Sequence, residues 1–518
     1  MKKARSHSEY QVVDLYPTKR ECEACQSSLK EAYRKTRWVV ALNGLMRVNS
    51  HILECRSEGC RQHGVKYRPE REGALVLPHY TFGLEVVARI GEWRYREHRT
   101  VEEIVGELRQ GGMSISIKET QLLSEVFLAL VETCLKDDQE AIKELEKQGG
   151  IVLAIDGIQP EKGNETLWLL RDVLSQRVLL ARNLLSSGSV EIGPLIREVK
   201  KLGVPILGVI SDKQSSICVA VEKELPGVPH QLCQFHYLRD MAKPVCEADR
   251  KLKKQLKQKV RGIREVERKV AHDAGDEART VRGYCIAVRE ALRDDGKYPL
   301  EPAGITLYEK LDKIRESLSR VIEKRGSKKL ERLRVILETI KSQTKEYARL
   351  VVAWSWVHHL AHLLDEGGSR AEAEAQLKQY AATLPRKAGK SLLEIAAHIE
   401  KLTEAFAPKL FTFHDQPLLP KTNNDLEVFI GQLKKDRRRV TGRKDTSAFI
   451  LREGRAVALL QSLPSQPNWL ASFGAVNVEQ FKESLAALRR AEERGQAWRA
   501  RRDLDVYLTL LEQDKGPG

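Results

Sequence analysis

The sequence lacks any apolar run long enough to span a bilayer, which excludes a helical membrane protein. The charged segment Met1 to His7 is not followed by an apolar core, so we expect no signal peptide. Internal repeats and low-complexity segments are absent as well, which excludes a repeat architecture. We therefore expect a cytoplasmic protein, and in that compartment its nine cysteines should not pair as disulfides.

The chain is rich in charge, and the excess is positive. Hydrophobic residues make up 42% and charged residues 31% of the chain, which is typical of a globular rather than a disordered protein. Its 518 residues are too many for one core and leave room for roughly three or four domains. The net charge of +16 and an isoelectric point of about 9.3 favour a polyanionic partner, most simply nucleic acid.

Two close-spaced cysteine pairs lie near the start of the chain, Cys22 with Cys25 and Cys55 with Cys60. A strand-like segment, residues 37–42, lies between them. Because tetrahedral Zn²⁺ takes four thiolates from two turns brought together, this spacing predicts a zinc ribbon. The alternative is four free thiols in a small core. The residues beside the cysteines are turn-forming and polar, which favours the zinc site: Ser27, Ser28, Glu58 and Gly59.

Residues 79–148 have the periodicity of three helices. The second is predicted to begin at the cap Thr100, with Glu103 three residues on, and the third at Ser116 or Lys118 after a pair of glycines. Three short helices with a glycine-containing turn resemble a helix-turn-helix, whose final helix enters a major groove. A plain three-helix connector is the alternative. Several arginines favour DNA contact: Arg89, Arg94, Arg96, Arg99 and Arg109.

Two apolar runs each deliver an aspartate. Residues 151–157 are predicted to form a buried strand that carries Asp156, and residues 204–210 another that is followed by Asp212. Carboxylates that converge at one edge of a sheet bind hard divalent cations through oxygen. The sequence therefore predicts an Mg²⁺ or Mn²⁺ site at these two acids.

The elements around these runs predict a ribonuclease-H-like core. After the Asp156 strand come two strand-like runs, 166–172 and 177–184, then a helix, the Asp212 strand, a second helix and a short last strand. In a ribonuclease-H-like domain the first and fourth strands of this order are neighbours, so we expect Asp156 and Asp212 side by side. Asp172 also ends a strand, but a more distant one.

A later helix supplies a candidate third acid, Glu427. Its buried stripe has helical spacing: Leu426, Phe429, Ile430 and Leu433. On the next face Glu427 lies beside a glycine and two cations, an arrangement that suits a metal site next to a DNA phosphate. That face comprises Glu427, Gly431, Lys434 and Arg438. Asp425 and Asp415 are rivals; Asp425 ranks lower because it fits a capping box with Thr422.

The same helix is predicted to bind the DNA backbone. It and the residues after it carry a run of cations that would contact phosphates: Lys434, Lys435, Arg437, Arg438, Arg439, Arg443 and Lys444. The alternative is an ordinary charged helix exposed to solvent.

Four motifs occur in an order that resembles DDE transposases: Ala154-Ile155-Asp156-Gly157, Ile210-Ser211-Asp212, Cys233-Gln234-Phe235-His236 and Thr422-Asn423-Asn424-Asp425-Leu426-Glu427. The resemblance covers roughly residues 150–460 and is to mutator-like and related bacterial insertion-sequence transposases. It implies a catalytic triad of Asp156, Asp212 and Glu427 with two Mg²⁺ or Mn²⁺ ions. The implied reaction is strand cleavage at transposon ends and strand transfer into target DNA. A homodimer or larger assembly, bound to DNA in the nucleoid, is also implied.

The pair Cys233 and His236 has three interpretations. Its spacing suits a metal knuckle, which His230 and Cys246 could complete. A histidine that packs against the edge of the sheet, with its hydrogen bonds satisfied, is the simpler interpretation. In the third, which the resemblance favours, His236 lies near the active site and contacts DNA.

The predicted organisation is mostly helical and has six parts: an N-terminal arm and zinc ribbon (1–78), helix-turn-helix-like DNA-binding helices (79–148), the first part of the ribonuclease-H-like core (149–240), an all-α insertion (241–420), the catalytic helix and end of the core (421–463), and a C-terminal helical tail (464–518). One insertion helix is predicted from Leu330 to Val352. Trp354 and Trp356 are predicted core residues, with stacking on a flipped base as the alternative.

Two other functions remain open at this stage. One is a DNA-binding regulator or domesticated transposase derivative that keeps the fold and has lost strand cleavage. The presence of all three acids argues against it. The other is a structure-specific nuclease, which would share the metal site and cut DNA without joining it.

Overall fold

The computed structural model describes residues 10–135, 139–159, 164–385, 389–442, 446–463 and 468–513, and most of them are helical. The chain forms two compact units. The first unit comprises Met1–Leu207, Ser216–Pro226 and Asp425–Gly518, and the second unit comprises Gly208–Ser215 and Gly227–Asn424. None of the described helices combines the length and the apolar character needed to cross a membrane.

The first unit begins with a four-stranded sheet built on one long hairpin. Its strands are β1 (Gln11–Leu15), β2 (Lys30–Ala41), β3 (Gly44–Glu54) and β4 (Lys66–Tyr67). β2 and β3 pair antiparallel, β1 lies parallel to β3 on its other side, and β4 pairs with the end of β3. The short helix α1 (Arg71–Leu75) leads to Val76, which packs with Leu15, Val39 and Val48 in a small core.

Four helices follow this sheet: α2 (Leu84–Tyr95), α3 (Val101–Gln110), α4 (Ile117–Leu135) and α5 (Gln139–Lys147). The predicted cap is confirmed, because Thr100 and Glu103 form a reciprocal capping box at the start of α3. Ser116 and Glu119 make the same exchange before α4. The sequence therefore places the starts of α3 and α4 correctly.

Helix α4 is a core helix for most of its length. Residues 126–133 are all buried, and the exposed positions lie mainly in the first two turns. Phe127 packs over Gly91 of α2, where an added Cβ would lie only 2.0 Å from the ring, so only glycine allows this approach. Phe127 also contacts the rings of Trp469 and Phe473, at centroid distances of 5.4 and 5.7 Å. Only the first two turns of α4 are therefore accessible to a large partner such as DNA.

A second sheet has the strand order β7-β6-β5-β8-β9. In chain order its elements are β5 (Ile151–Ile158), β6 (Thr166–Asp172), β7 (Val178–Leu184), α6 (Ser189–Lys200), β8 (Ile206–Ser211), α7 (Ser215–Glu224) and β9 (His230–Leu232). In the first unit β5, β6 and β7 form antiparallel ladders, and Ile151 N donates to Pro205 O just before β8. In the second unit the end of β8 pairs parallel with β9. The predicted succession of strands and helices is present.

The second unit is otherwise helical. Its helices are α8 (Gln234–Lys259), α9 (Ile263–Lys269), α10 (Asp276–Arg293), α11 (Ala303–Arg325), α12 (Lys328–Glu338), α13 (Thr344–Leu363), α14 (Arg370–Thr383) and α15 (Lys390–Leu410). The helix predicted from Leu330 to Val352 is interrupted by a 3₁₀ turn at Thr339–Gln343. Trp354 is buried and donates from its indole to Leu300 O at 3.2 Å, and Trp356 is buried as well, which confirms the prediction that both belong to the core.

Asp249 of α8 holds the start of α11. Its side chain is fully buried and accepts hydrogen bonds from Gly304 N, Ile305 N and Tyr298 Oη at 2.7–2.8 Å. Two of these donors are orphan N–H groups of the first turn of α11, so Asp249 caps a helix distant in sequence. A buried carboxylate with three donors ties α8 to α11.

The remaining helices are α16 (Asn424–Thr441), α17 (Ser447–Arg452), α18 (Gly454–Gln461), α19 (Trp469–Gly474), α20 (Val478–Arg502) and α21 (Leu504–Gln513). From Asp425 onwards they belong to the first unit. Helix α20 packs on α4, where Ser484 Oγ lies 3.2 Å from Thr133 Oγ1 in buried surroundings. The segment predicted as a separate tail is thus part of the first unit.

Replacing Asp249 with alanine should lower the free energy of unfolding of the second unit by about 2–3 kcal/mol, because buried donors lose their acceptor. Urea unfolding followed by circular dichroism would measure the loss. Glu247→Ala, an exposed change on the same helix, is the control and should cost less than about 0.5 kcal/mol. Equal stability of the two variants would contradict the assigned role of Asp249.

Candidate metal centres

The end of the β2–β3 hairpin brings the two cysteine pairs together. Lys30, the first residue of β2, is paired with Glu54, the last residue of β3. Cys55 follows Glu54 directly, and Cys22 and Cys25 lie in the turn just before β2. Strand pairing therefore places both cysteine turns at the same end of the hairpin, as a ribbon-like site requires.

The four sulfur atoms form a compact cluster. All of them lie within 4.8 Å of one another. Cys22 Sγ is 3.8 Å from Cys60 Sγ, and Cys25 Sγ is 3.7 Å from Cys55 Sγ. With metal–sulfur bonds of about 2.3 Å, the sulfurs of a regular tetrahedron are about 3.8 Å apart. The cluster has the spacing to hold one tetrahedral metal ion.

The surroundings of the cluster favour a thiolate at Cys25 and disfavour one at Cys60. The Ser27 hydroxyl and N–H bind the Cys25 sulfur and lower the pKa of Cys25 to about 5. The N–H of Gln62 lowers the pKa of Cys60, but burial and the neighbouring thiols outweigh it and raise that pKa to about 12. A negative charge on one sulfur raises the pKa of its neighbours by repulsion. A bound cation would offset this repulsion. None of the nine cysteines forms a disulfide.

Asp156 lies near the end of β5, half-buried, and its Oδ1 accepts from the next backbone N–H, that of Gly157, at 2.7 Å. It is paired with Leu169 of β6, and Ala154 is paired with Arg171. Residues paired across an antiparallel ladder point to the same face, as do residues two apart on a strand. Asp156 and Arg171 therefore share one face of the sheet.

The start of α16 lies on that same face, and all of these residues belong to the first unit. Arg171 Nη1 donates to Asp425 O in the first turn of α16 at 3.0 Å. Its guanidinium also lies 4.9 Å from the centre of the Phe429 ring. Glu427 is in this first turn and is half-buried. The face of β5 and β6 that carries Asp156 thus also carries the turn with Glu427.

Neighbouring contacts agree with this assignment of faces. Leu167 is four residues before Arg171 on β6 and shares its face, and it packs on α18, where a Cβ added at Gly454 would lie 2.9 Å from a Leu167 methyl. On the opposite face Arg182 of β7 forms an ion pair with Glu198 of α6 at 2.7 Å. Helices α16 and α18 cover one face, and α6 covers the other.

Asp172 has a structural role at the end of β6. The prediction that its strand is more distant is wrong with respect to Asp156, because β6 pairs directly with β5 and Asp172 lies opposite Leu153. It is fully buried at the end of β6. It accepts from Val152 N, Gln148 Nε2, Ser175 N and Ser175 Oγ at 2.7–3.0 Å. Three of these hydrogen bonds are to Oδ2 and one is to Oδ1, so the carboxylate fastens the start of β5 and the turn after β6.

Asp212 lies in the second unit, directly after β8, and is half-buried. Its Oδ1 accepts from Gln214 N at 3.0 Å, which fixes the turn. The preceding Ser211 is fully buried and bonded through Oγ to His230 Nε2 at 2.9 Å. This bond holds the end of β8 against β9, so Asp212 is presented from a rigid strand end.

Cys233 and His236 open α8 in the same unit, and both are buried. Cys233 N donates to Ser211 O at 2.9 Å, and its Sγ accepts from Asn423 N at 3.3 Å. The pair therefore lies next to the strand end that carries Asp212. In the described part of the chain, no group of three or more potential metal ligands contains His230 or Cys246, so the structure does not favour the metal-knuckle interpretation with those two residues.

The rival acids have other roles. Asp425 is exposed, and its carbonyl accepts from Arg171 at the start of α16. Asp415 of the second unit is 2.9 Å from Arg370 in an exposed ion pair. Neither observation favours them over Glu427.

The predicted DNA-binding cations of α16 differ in how exposed their side chains are. Four of its cations have at least partly exposed side chains: Lys434, Lys435, Arg438 and Arg439. Arg439 approaches Glu103 at 3.5 Å. Arg443 and Lys444 lie outside the described residues.

Arg437 is committed to packing. Its side chain is 18% exposed, lies 3.5 Å from Glu453 and covers the Phe449 ring at 4.9 Å. Glu453 is almost fully buried, which raises its pKa, but the charges of Arg452 and Arg437 outweigh burial and hold the pKa below its usual value. Arg437 is therefore placed against the core of the first unit and away from the exposed basic face.

Sequence reasoning missed Arg171 and Glu453. Each is a charged residue within an apolar segment, Thr166–Asp172 and 446–463, and that mismatch is the signal that could have found them. The sequence does not show which backbone carbonyl or charge compensates them.

Scans against protein-family models and against curated proteins found no match for this chain. Its function must therefore be inferred from its own residues and their arrangement.

Arg437→Gln should lower the free energy of unfolding at pH 7 by about 1–3 kcal/mol, because buried Glu453 loses a charged partner. Glu453 has a depressed pKa, so its contribution is present above the unfolded value of about 4.3 and is lost as pH falls through the folded value. The gap between wild type and variant should therefore narrow below about pH 4. Thermal unfolding against pH measures it. Exposed Arg438→Gln is the control, and an equal, pH-independent effect of both changes would contradict the assignment.

Proposed function

We propose that this chain is a DDE transposase with a ribonuclease-H-like core, in which Asp156, Asp212 and Glu427 bind two Mg²⁺ or Mn²⁺ ions. The observation that carries the proposal is the face of the β5–β6 ladder in the first unit. That face holds Asp156 and the first turn of α16, which contains Glu427. In the second unit Asp212 follows β8, whose end is held against β9.

The chemistry follows from the carboxylate donors. Two bound divalent cations would supply an activated water or 3′-hydroxyl and stabilise the leaving oxygen. The three carboxylates would bind the cations and keep them in position. They form no covalent bond to DNA. Hydrolysis breaks a phosphodiester bond at the transposon end and leaves a 3′-hydroxyl. That hydroxyl then attacks a target phosphodiester, whose own 3′-oxygen leaves.

Charge supports a DNA partner. The net charge is +16, and the exposed cations of α16 follow Glu427 along the same helix. Lys434, Lys435, Arg438 and Arg439 would contact phosphates beside the reacting one. The first turns of α4 offer a smaller surface than a full recognition helix. We propose that two or more copies assemble on the element's ends, in the nucleoid.

We further propose that the metal of the four-cysteine cluster is Zn²⁺ and that its role is structural. All four ligands are thiolates, which select Zn²⁺ over the harder Mg²⁺ and Mn²⁺. Four protein ligands also leave no open position for a substrate. The core next to the cluster is small and includes Cys22, Leu29, Leu53 and Cys55. A metal ion is expected to supply the stability that such a core lacks.

The test of the catalytic proposal is Mg²⁺- or Mn²⁺-dependent nicking and joining on a DNA library that carries the native flanks. Asp156→Asn, Asp212→Asn and Glu427→Gln should each lower cleavage by more than about 100-fold, because even a lost second-shell partner costs about 10–100-fold. DNA binding should persist. Asp425→Asn, an exposed change in the same turn as Glu427, is the matched control and should stay active.

The outcomes separate the alternatives. Cleavage without joining would identify a structure-specific nuclease. Binding of the ends with no cleavage in any divalent metal would identify a DNA-binding regulator or domesticated derivative. Loss of activity in Asp425→Asn but not in Glu427→Gln would identify Asp425, and not Glu427, as the third acid.

The zinc proposal predicts one Zn²⁺ per chain, measured by elemental mass spectrometry on the purified full chain. Cys55→Ser should lose the metal and make the segment from Cys22 to Tyr67 sensitive to protease, because the small core would lose its metal. Cys218→Ser, outside the cluster, is the control. Full zinc content in the Cys55→Ser variant would refute the site.

A further inference from the structure

A basic groove in the second unit lies outside every site described above. It has a volume of about 940 Å³ and is formed by the C-terminal half of α8, the α8–α9 turn, α9 and α10. Nine basic and two acidic residues line it, a strong excess of positive charge. The basic residues are Arg250, Lys253, Lys254, Lys257, Arg261, Arg264, Arg268, Arg289 and Arg293. We call this surface the α8–α10 groove.

Some of these cations are already neutralised. Lys253 pairs with Asp295 at 2.6 Å, and Arg289 pairs with Glu267 at 2.9 Å. Arg293 pairs with Glu290 at 3.0 Å. The other six form no ion pair in the part of the chain that the structure describes, and all six are exposed: Arg250, Lys254, Lys257, Arg261, Arg264 and Arg268. Exposed, unpaired cations around one concave surface repel one another. An anion that enters the groove relieves this repulsion, so its binding lowers the free energy.

The floor of the groove is apolar and rigid. Val260, Ile263, Cys285 and Val288 are buried beneath the cations. Val260 N donates to Leu256 O, and Ile263 N to Val260 O, so the turn between α8 and α9 is held by backbone bonds. Low-dielectric walls strengthen the field of the cations above them. The backbone that carries the cations is therefore fixed before a ligand arrives.

The lining chemistry selects among polyanions. No aromatic residue lines the groove, so it offers no platform on which unpaired bases stack. Arg250, Lys254 and Lys257 recur every three or four residues on α8, about 5 Å apart along the helix. A DNA strand carries one phosphate per about 3.4 Å of duplex axis, so several of these cations would meet one run of phosphates.

We propose that the α8–α10 groove binds the phosphodiester backbone of duplex DNA without reading its bases. The proposal rests on the proposed function only in taking DNA as the partner. Its role there is to hold the duplex by contacts that are independent of sequence and of the acids. Affinity through this groove is therefore strongly salt-dependent.

The experiment uses the full chain with Asp156→Asn and no added Mg²⁺ or Mn²⁺, so that cleavage plays no part while any Zn²⁺ at the four-cysteine cluster is retained. Lys254→Gln, Lys257→Gln and Arg264→Gln are combined in one variant. The matched control combines Arg320→Gln, Lys345→Gln and Lys401→Gln, three exposed cations of the second unit outside the groove. Duplex affinity is measured by fluorescence anisotropy from low to high salt, on end-containing and random duplexes, with thermal unfolding as a check on folding.

We expect the groove variant to bind both duplexes about tenfold or more weakly at moderate salt, and its log–log salt slope to fall by about 2–3, since each lost phosphate contact removes about 0.9. The control should match the parent chain. Equal affinities and slopes for all three chains would overturn the proposal. A weakening confined to one DNA sequence would overturn the claim of backbone binding.

Inorganic tripolyphosphate distinguishes the two sources of phosphate. If the groove variant loses tripolyphosphate binding but keeps duplex affinity, the groove takes a small polyphosphate and the proposal fails. If wild type never cleaves DNA while the groove variant loses duplex binding, the catalytic proposal fails and the groove assignment stands.

Discussion

Arg171 introduces a permanent positive charge into a strand that is otherwise buried, and the construction of the first unit depends on how that charge is compensated. Its side chain is 7% exposed, and burial lowers its pKa without discharging it. Compensation comes from the carbonyls of Gln176 and Asp425 and from the Phe429 ring. A buried charge that loses its partners costs several kcal/mol. Helix α16 therefore cannot leave β6 without that cost.

Local chemistry was readable from the sequence, and long-range partnership was not. Cysteine spacing gave the four-thiol cluster, and the Thr100–Glu103 pair gave the start of α3, because both are set by neighbours in the chain. Periodicity reports which face of a helix is apolar, but not what covers it. It could not show that Arg437 faces Glu453 or that α4 is enclosed. Nor could it show the break at residues 339–343.

The two kinds of candidate metal centre differ in the surroundings of their candidate ligands. The thiols lie at tetrahedral spacing in a cluster held by two turns. The carboxylates are half-buried at strand and helix ends, and Glu427 Oε1 is itself a buried atom. Asp172 accepts four hydrogen bonds from the protein, three of them on Oδ2, although its sequence setting resembles that of Asp156. Aspartates at the ends of two paired strands can therefore differ in burial and hydrogen bonding although their sequence settings are alike.

Phe127 of α4 packs against Trp469 and Phe473, which follow it only after the whole second unit in the chain. A ribosome adds about 5–20 residues per second, so the apolar side of α4 stays uncovered for a time on the order of tens of seconds. The emerging chain is then open to aggregation and to capture by chaperones. The second unit needs no residue beyond Asn424, so it can fold before α19 is synthesised. The inserted unit can therefore finish folding before the unit that surrounds it in sequence.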